Sequence, residues 1–325
     1  MKHMNTDILA KLALLVVAIV WGSSLVVVKS STDTLPPIFL LALRFTIGCL
    51  TLALIFHKKL RLLNWDYMKN GFIIGLCLFL AYSSQTIGVI FAMPGKSAFL
   101  SSAYCVIVPF MMWMVERKKP SRYNIYAAIL CTAGILAASL TEGGAVTKGD
   151  GLALLSAVLF AAHIASVAIC GRGKDPILIT ILQFGFSAVF SWIVTLATGL
   201  PASIEWTGGT VGGVLYLALA CTALSLLLQN VGQKYTNPSS ASLILSLESV
   251  FGVLFGVIFF HEILNLRLIT GFVLIFAAIV ISETELSFLN GFNLTVIVVE
   301  NILSQRLYCL WSCSLGNSYC KNSPA

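Results

Sequence analysis

A chain of 325 residues that is 58% hydrophobic and only 10% charged is not a soluble domain, whose charged fraction is about 25%. No soluble core absorbs that much apolar surface, so the chain requires a lipid solvent. The formal net charge of +7 implies no nucleic-acid partner, because the cations stand at the ends of apolar runs rather than in one basic patch.

A bilayer core about 30 Å thick takes about 20 apolar residues per helix. Ten such runs occur, at 9–28, 36–56, 71–92, 97–115, 123–140, 151–170, 177–200, 211–230, 239–260 and 268–282. The fold class is therefore an all-α integral membrane protein of ten transmembrane helices, with connections too short to hold a soluble catalytic domain. The first run is longer than the apolar part of a secretory signal and has no small-residue cleavage site after it, so it is expected to remain as a signal anchor. Cys49, Cys77, Cys105, Cys131, Cys170 and Cys221 are scattered inside the runs and read as packing residues rather than a disulfide or zinc framework.

The N-terminus and every second loop carry Lys2, Lys11, Lys58, Lys59, Arg61, Lys69, Arg117, Lys118, Lys119, Arg122, Arg172, Lys174 and Lys234. The opposite side has only Lys29, Lys96, Lys148 and Arg267. The positive-inside rule then puts the N-terminus and the end of the tenth helix in the cytoplasm. The cluster Arg117-Lys118-Lys119 is part of that topology signal and implies no ligand of its own.

The chain also repeats itself. Pro37 and Pro176, Arg44 and Gln183, and Phe45 and Phe184 are each 139 residues apart. Gln85, Gly88 and Pro94 match Gln229, Gly232 and Pro238 at 144, and Glu116 matches Glu262 at 146. Each half holds five helices, an odd number, so the second copy sits inverted with respect to the first. Inverted repeats are the architecture of secondary transporters, whose sites lie near the midplane between the halves. The boundaries read as 9–140 and 151–282, followed by a C-terminal tail, 283–325. Within the tail, 286–303 is apolar but broken by Asn290, Asn293, Glu300 and Asn301, which argues for a cytoplasmic appendage rather than an eleventh span.

Several segments resemble the EamA family of the drug/metabolite transporter superfamily. They are Ala18-Ile19-Val20-Trp21-Gly22-Ser23-Ser24, Leu43-Arg44-Phe45, Ser97-Ala98-Phe99-Leu100, the ninth-helix stretch from Ala241 to Phe251, and His261-Glu262. The resemblance covers about residues 8–283 and implies ten helices, two EamA-type repeats and movement of small metabolites or drugs across the bacterial cytoplasmic membrane, often outward. Ser249 stands where many relatives have Pro, which puts a backbone break there in question.

Glu248 lies about ten residues into the ninth span, roughly 14 Å along the helix and hence near the bilayer centre. A charge at that depth costs about 3 kcal/mol on insertion scales, so it faces the interior or a water-filled cavity. It either binds solute or protons, or locks two helices together. Ala241, Gly252 and Gly256 share its face. Arg44, about 12 Å into the second span, is too deep to snorkel and needs an acceptor. That acceptor is an anionic solute, Glu248, or carbonyl oxygens; an exchangeable pair with Glu248 would couple the two halves. Gln183 keeps a polar group at the position matching Arg44.

His163 shares a face with Ser156 and Cys170 at seven-residue spacing and serves either as a proton relay or as a hydrogen-bonded packing residue. No ligand spacing accompanies it, so no metal site is expected. Trp21, Tyr82 and Tyr104 are aromatics inside spans, where interfacial belts do not explain them; they line a cavity or pack. Gln85 and Gln229 place an amide at the same point of both halves, for a cavity, a hinge or an interhelical hydrogen bond. Ser24, in the first-helix motif, completes the candidate binding or coupling set.

The sequence thus points to a permease working by alternating access, most simply an exporter, on a small-molecule substrate in a lipid bilayer. No cofactor is expected, proton or other ion coupling is open, and so is a homo-oligomer. No GxxxxGK[ST] loop occurs, so ATP hydrolysis is not supported. A membrane enzyme acting on lipid would need grouped carboxylates or histidines, which the sparse set Arg44, His163 and Glu248 does not supply; a sensor or scaffold has only the tail in its favour. Engineered cysteines between Lys58 and Lys69 and between Arg117 and Arg122 should label only from the cytoplasm, and Thr147→Cys only from outside. Labelling of both sets from one side would overturn the inverted topology.

Overall fold

Peptide groups in hydrocarbon have no water to bond, so each must be satisfied within its own segment. The computed structural model describes residues 2–117, 119–139, 146–201, 203–235 and 244–285, and among them the long regular elements are all helical. In chain order these are α1 (Lys2–Thr32), α2 (Pro37–Ile55), α3 (Trp65–Ile90), α4 (Pro94–Ser102), α5 (Tyr104–Glu116), α6 (Arg122–Ser139), α7 (Lys148–Cys170) and α8 (Pro176–Thr198). Then come Gly208–Leu215, a π-helical stretch Tyr216–Leu224, and Ser225–Tyr235, followed by the helices Glu248–Phe260 and Leu266–Thr284. Among the described residues, eight helices are long and apolar enough to cross a membrane. The fifth expected span appears as α6, of 18 residues, and the ninth expected span begins outside the described residues. Apart from its first three residues, so does the tail.

The surface is inverted relative to a soluble protein. Leu54, Ile129, Leu196 and Phe259 are all more than 60% exposed, while Arg44, Asp150, Ser187 and Ser191 are buried. Lipid is as apolar as leucine, so helix association depends on close packing and interhelical hydrogen bonds. Gly71 and Gly75 of α3 receive α8, and a Cβ on either would lie 2.6 Å from the Cβ of Leu182 or Phe186. Ser187 Oγ donates across this contact to Gly75 O at 2.9 Å, and Ser84 Oγ donates to Leu152 O of α7 at 2.8 Å. A second close crossing joins α4 to the Glu248–Phe260 helix. There a Cβ on Gly252 would meet Ala98 Cβ at 2.5 Å, and one on Gly256 would meet the Glu262 carboxylate at 2.4 Å.

Charged groups fasten the helix ends. Glu262 accepts hydrogen bonds from the backbone N–H groups of Gly95 and Lys96, both at 3.0 Å, and so caps α4. Burial raises its carboxyl pKa, against the pull of those two N–H groups and of Lys96 and Lys29. Lys29 Nζ donates to Val89 O, Ile90 O and Ala92 O at the end of α3, where the helix dipole favours a cation. Lys96 pairs with the buried Asp150 at 2.7 Å, Lys148 Nζ lies 4.2 Å from the Phe91 ring centroid, and Arg267 Nε donates to Ala137 O. All four cations on the sparsely charged side are therefore used to join helices.

At the other ends, Asp175 caps α8 through Ile177 N and Leu178 N and meets Lys59 at 2.5 Å. Burial works against ionising Asp175, yet the Lys59 bond and the two backbone donors prevail and hold its carboxyl below the usual range. This contribution is present above the ordinary carboxylate pKa and is lost as pH falls through the lowered one. Lys174 pairs with Asp66 at 2.6 Å, and Arg172 pairs with Glu116.

The α3–α8 crossing gives a direct test of packing. Gly75→Leu should destabilise the detergent-solubilised protein by about 1–3 kcal/mol, the usual cost of overpacking, read as a lower melting temperature by fluorescence-detected gel filtration. Gly151→Leu, at a site with nothing within 4 Å, should leave it unchanged. Equal melting of both variants would contradict the close-approach account.

Candidate functional site

Three irregularities interrupt the helices, and all three adjoin one cavity. The α4–α5 segment breaks at Ala103, where the Ala103 N–H turns to Leu100 O and Ser101 O. The ninth-helix segment breaks at Leu247, whose N–H bonds to Ile244 O, before Glu248 opens the next helix. The break in question at Ser249 is therefore present without a proline, two residues earlier, and Ser249 Oγ donates to Ser246 O at 2.9 Å across it. The two breaks are 144 residues apart, which is the offset already seen for Gln85 and Gln229. The residues that follow them touch: Tyr104 Oη donates to Glu248 Oε1 at 3.1 Å.

The third irregularity is the π-helical Tyr216–Leu224, in which Thr222 Oγ1 and Ser225 Oγ donate to carbonyls five residues back, Leu217 O and Ala220 O. Wide turns of this kind often mark functional sites. This one frees Cys221 O to accept the Trp21 Nε1–H at 2.9 Å and presents Thr222 Oγ1 to Arg44 Nε at 3.0 Å.

The cavity has a volume of about 260 Å³. Nine of the ten candidates read from the sequence line it: Trp21, Ser24, Tyr82, Gln85, Tyr104, His163, Gln183, Gln229 and Glu248. His163 Nε2 donates to Gln183 Oε1 at 2.8 Å, so two of them form a pair. The expected companions of His163 lie elsewhere. Ser156 is buried against Ser101, with 3.1 Å between their hydroxyls, and neither Ser156 nor Cys170 reaches the cavity, because α7 meets α4 and α5 on the Ser156 side.

Arg44 is the tenth candidate, and it does not line the cavity. It is 2% exposed, held behind the wall by Thr222 and by the Tyr82 ring, whose centroid is 4.7 Å from its guanidinium carbon. It makes no ion pair with Glu248. The expectation of a direct Arg44–Glu248 pair is corrected on this point: a hydroxyl and an aromatic face hold Arg44, and a phenol donates to Glu248.

Much of the lining falls into pairs at the two sequence offsets. Trp21 and Phe160, Ser24 and His163, and Leu25 and Ile164 are 139 residues apart. Leu78 and Thr222, Tyr82 and Leu226, Gln85 and Gln229, and Tyr104 and Glu248 are 144 apart. Phe160, a wall residue absent from the sequence reading, was reachable by this arithmetic from Trp21, whereas the partner of Thr222 is Leu78, which the sequence reading did not single out. Ser101 carried no such signal, and the identical residues that the 144 offset pairs with Ser102 and Cys221, Ser246 and Cys77, do not line the cavity.

Comparison with known proteins gives the family. The model of the EamA-like transporter family matches residues 8–140 and again residues 147–284. An uncharacterized transporter of Archaeoglobus fulgidus is 34% identical over 275 residues, covering 84% of this chain and 85% of its own length. Uncharacterized transporter YvbV of Bacillus subtilis is 25% identical over 280 residues, covering 84% of this chain and 91% of its own length. Uncharacterized transporter YoaV of the same organism is 26% identical over 275 residues, with 81% and 93% covered. A crystal structure described only as that of a protein has a TM-score of 0.60 at 19% identity, covering 85% of this chain and 96% of its own; it shares the fold. With both halves matched, the chain belongs to the EamA-like transporter family.

Proposed function

We propose that this membrane transporter moves a small solute outward across the bacterial cytoplasmic membrane by alternating access, with the cavity as its central site. The observation that carries this is the pairing of the cavity wall at the repeat offsets, together with two helix breaks at equivalent positions that meet at Tyr104 and Glu248. A wall built twice from matching positions is what two halves related by an axis through the site produce. Discontinuous helices at such an axis are where transporters hold their solutes.

The proposed architecture is ten transmembrane helices in two inverted five-helix repeats, 9–140 and 151–282, with both termini in the cytoplasm. Rocking of one repeat against the other would expose the cavity to each side in turn. Glu248 is the proposed coupling residue. Its carboxylate ties one broken helix to the other through Tyr104, so a solute or proton that takes over the carboxylate releases that tie.

Comparison of intracellular and extracellular metabolites between cells overexpressing and lacking the protein should show at least one solute displaced outward. Glu248→Gln keeps the shape and much of the hydrogen bonding but removes the charge. It should fold, exchange solute across the membrane, and lose pH-dependent or concentrative transport. Normal concentrative transport with unchanged pH dependence in Glu248→Gln would remove the coupling role and leave Glu248 as a packing residue.

A further inference from the structure

The chemistry of the cavity wall is one-sided. Among its described lining residues are one acid, Glu248, one imidazole, His163, and no Lys, Arg or Asp. Trp21, Tyr82, Tyr104 and Phe160 contribute rings. Tyr82 and Phe160 meet edge to face at 5.1 Å between centroids, and Phe160 and Tyr104 at 6.1 Å, so three of the rings form one continuous surface leading to the carboxylate. The polar ends of two rings are already engaged, Trp21 Nε1 on Cys221 O and Tyr104 Oη on Glu248 Oε1. What those rings leave for a ligand is aromatic surface, which carries a negative quadrupole toward a cation.

From this we infer that the solute is an organic cation, an amine or ammonium group on a small apolar body, with its charge held between Glu248 and the rings of Trp21, Tyr82, Tyr104 and Phe160. The inference rests on the transport reading and specifies its substrate class. A half-buried carboxylate at this depth needs a counter-charge or several donors, and among the described residues the donor to Glu248 is a single neutral phenol. The nearby buried cation is already placed elsewhere, Arg44 lying on Thr222 and behind the Tyr82 ring. An anionic solute would meet the Glu248 carboxylate and aromatic faces, both of which repel it, and among the described wall residues would find no Lys or Arg, the imidazole of His163 being already bonded to Gln183. A volume of about 260 Å³ lies just below the range of about 300–1,000 Å³ typical of small-molecule pockets. It therefore suits one compact organic molecule rather than a lipid.

Four probes of similar size separate the alternatives in calorimetric titration of the purified protein in detergent: benzyltrimethylammonium, its uncharged isostere neopentylbenzene, the zwitterion phenylalanine and the anion phenylacetate. The ammonium should bind at least 10-fold more tightly than the other three, and Glu248→Gln should weaken it at least 10-fold. Tyr104→Phe and Tyr104→Leu both remove the phenol, so they separate the ring from the hydroxyl even if Glu248→Gln does not fold. Phe should retain affinity within about 3-fold of the wild type, and Leu should lose about 10-fold, the scale of one cation–π contact. Equal or tighter binding of the neutral, zwitterionic or anionic probe overturns the assignment, as does equal affinity of the two Tyr104 variants. Absence of binding by all four probes to folded protein also overturns it. If that happens while the metabolite comparison still shows a displaced solute, only the substrate class falls; if no solute is displaced, the transport reading falls with it.

Discussion

Hydrocarbon cannot hydrogen-bond a peptide group, and the structure follows from that one constraint. Helices persist wherever the backbone faces lipid, because each N–H and C=O left unpaired there costs several kcal/mol. Among the described spans, the backbone irregularities adjoin the protein interior. The breaks at Ala103 and Leu247 and the wide turns of Tyr216–Leu224 surround one cavity, where side chains replace the lost partners. Ser249 Oγ bonds across one break to Ser246 O, and Thr222 Oγ1 and Ser225 Oγ satisfy carbonyls that the wide turns release. Trp21 reaches another through its indole N–H.

The same constraint explains where charge is tolerated. Outside the cavity, several buried or half-buried ions are paired or placed on helix termini, while Arg44 is held in mid-helix by a hydroxyl and a ring face. Glu262 sits on the start of α4, Lys29 on the end of α3, and Asp150 against Lys96. These contacts join elements that are distant in sequence, so they fix the helix ends while the broken centres adjoin open space. Glu248 differs from them: its bonded partner is a neutral phenol and it faces the cavity. That difference makes it the group whose electrostatics a solute can change.

Much of this was legible in the sequence, for a physical reason. Apolar runs of bilayer length are set by solvent, and intramembrane polar groups are expensive, so Glu248, His163, Gln85 and Gln229 stood out and all lie on the cavity wall. The family assignment followed from the same spaced motifs. Arg44 was misread because depth shows that a charge needs a partner but not which one; a hydroxyl exposed by a π-helical turn and the face of Tyr82 have no linear signature. Ser249 was uninformative for a related reason. Proline breaks a helix by removing a donor, whereas a serine can support a break by bonding back to a carbonyl three residues earlier. The sequence offset leads from Trp21 to Phe160 on the wall, but Ser101, Ser102 and Cys221 are wall residues because of how the broken helices cross.

The central claim is that the cavity between the two halves opens in turn to each side of the membrane. Ser24 lines the cavity, and serine to cysteine changes little in size. In a background without native cysteines, Ser24→Cys should react with a membrane-impermeant thiol reagent added to right-side-out vesicles and, in separate samples, to inside-out vesicles, with solute shifting the ratio of the two rates. Reaction from one side only, unchanged by any transported solute, would contradict alternating access.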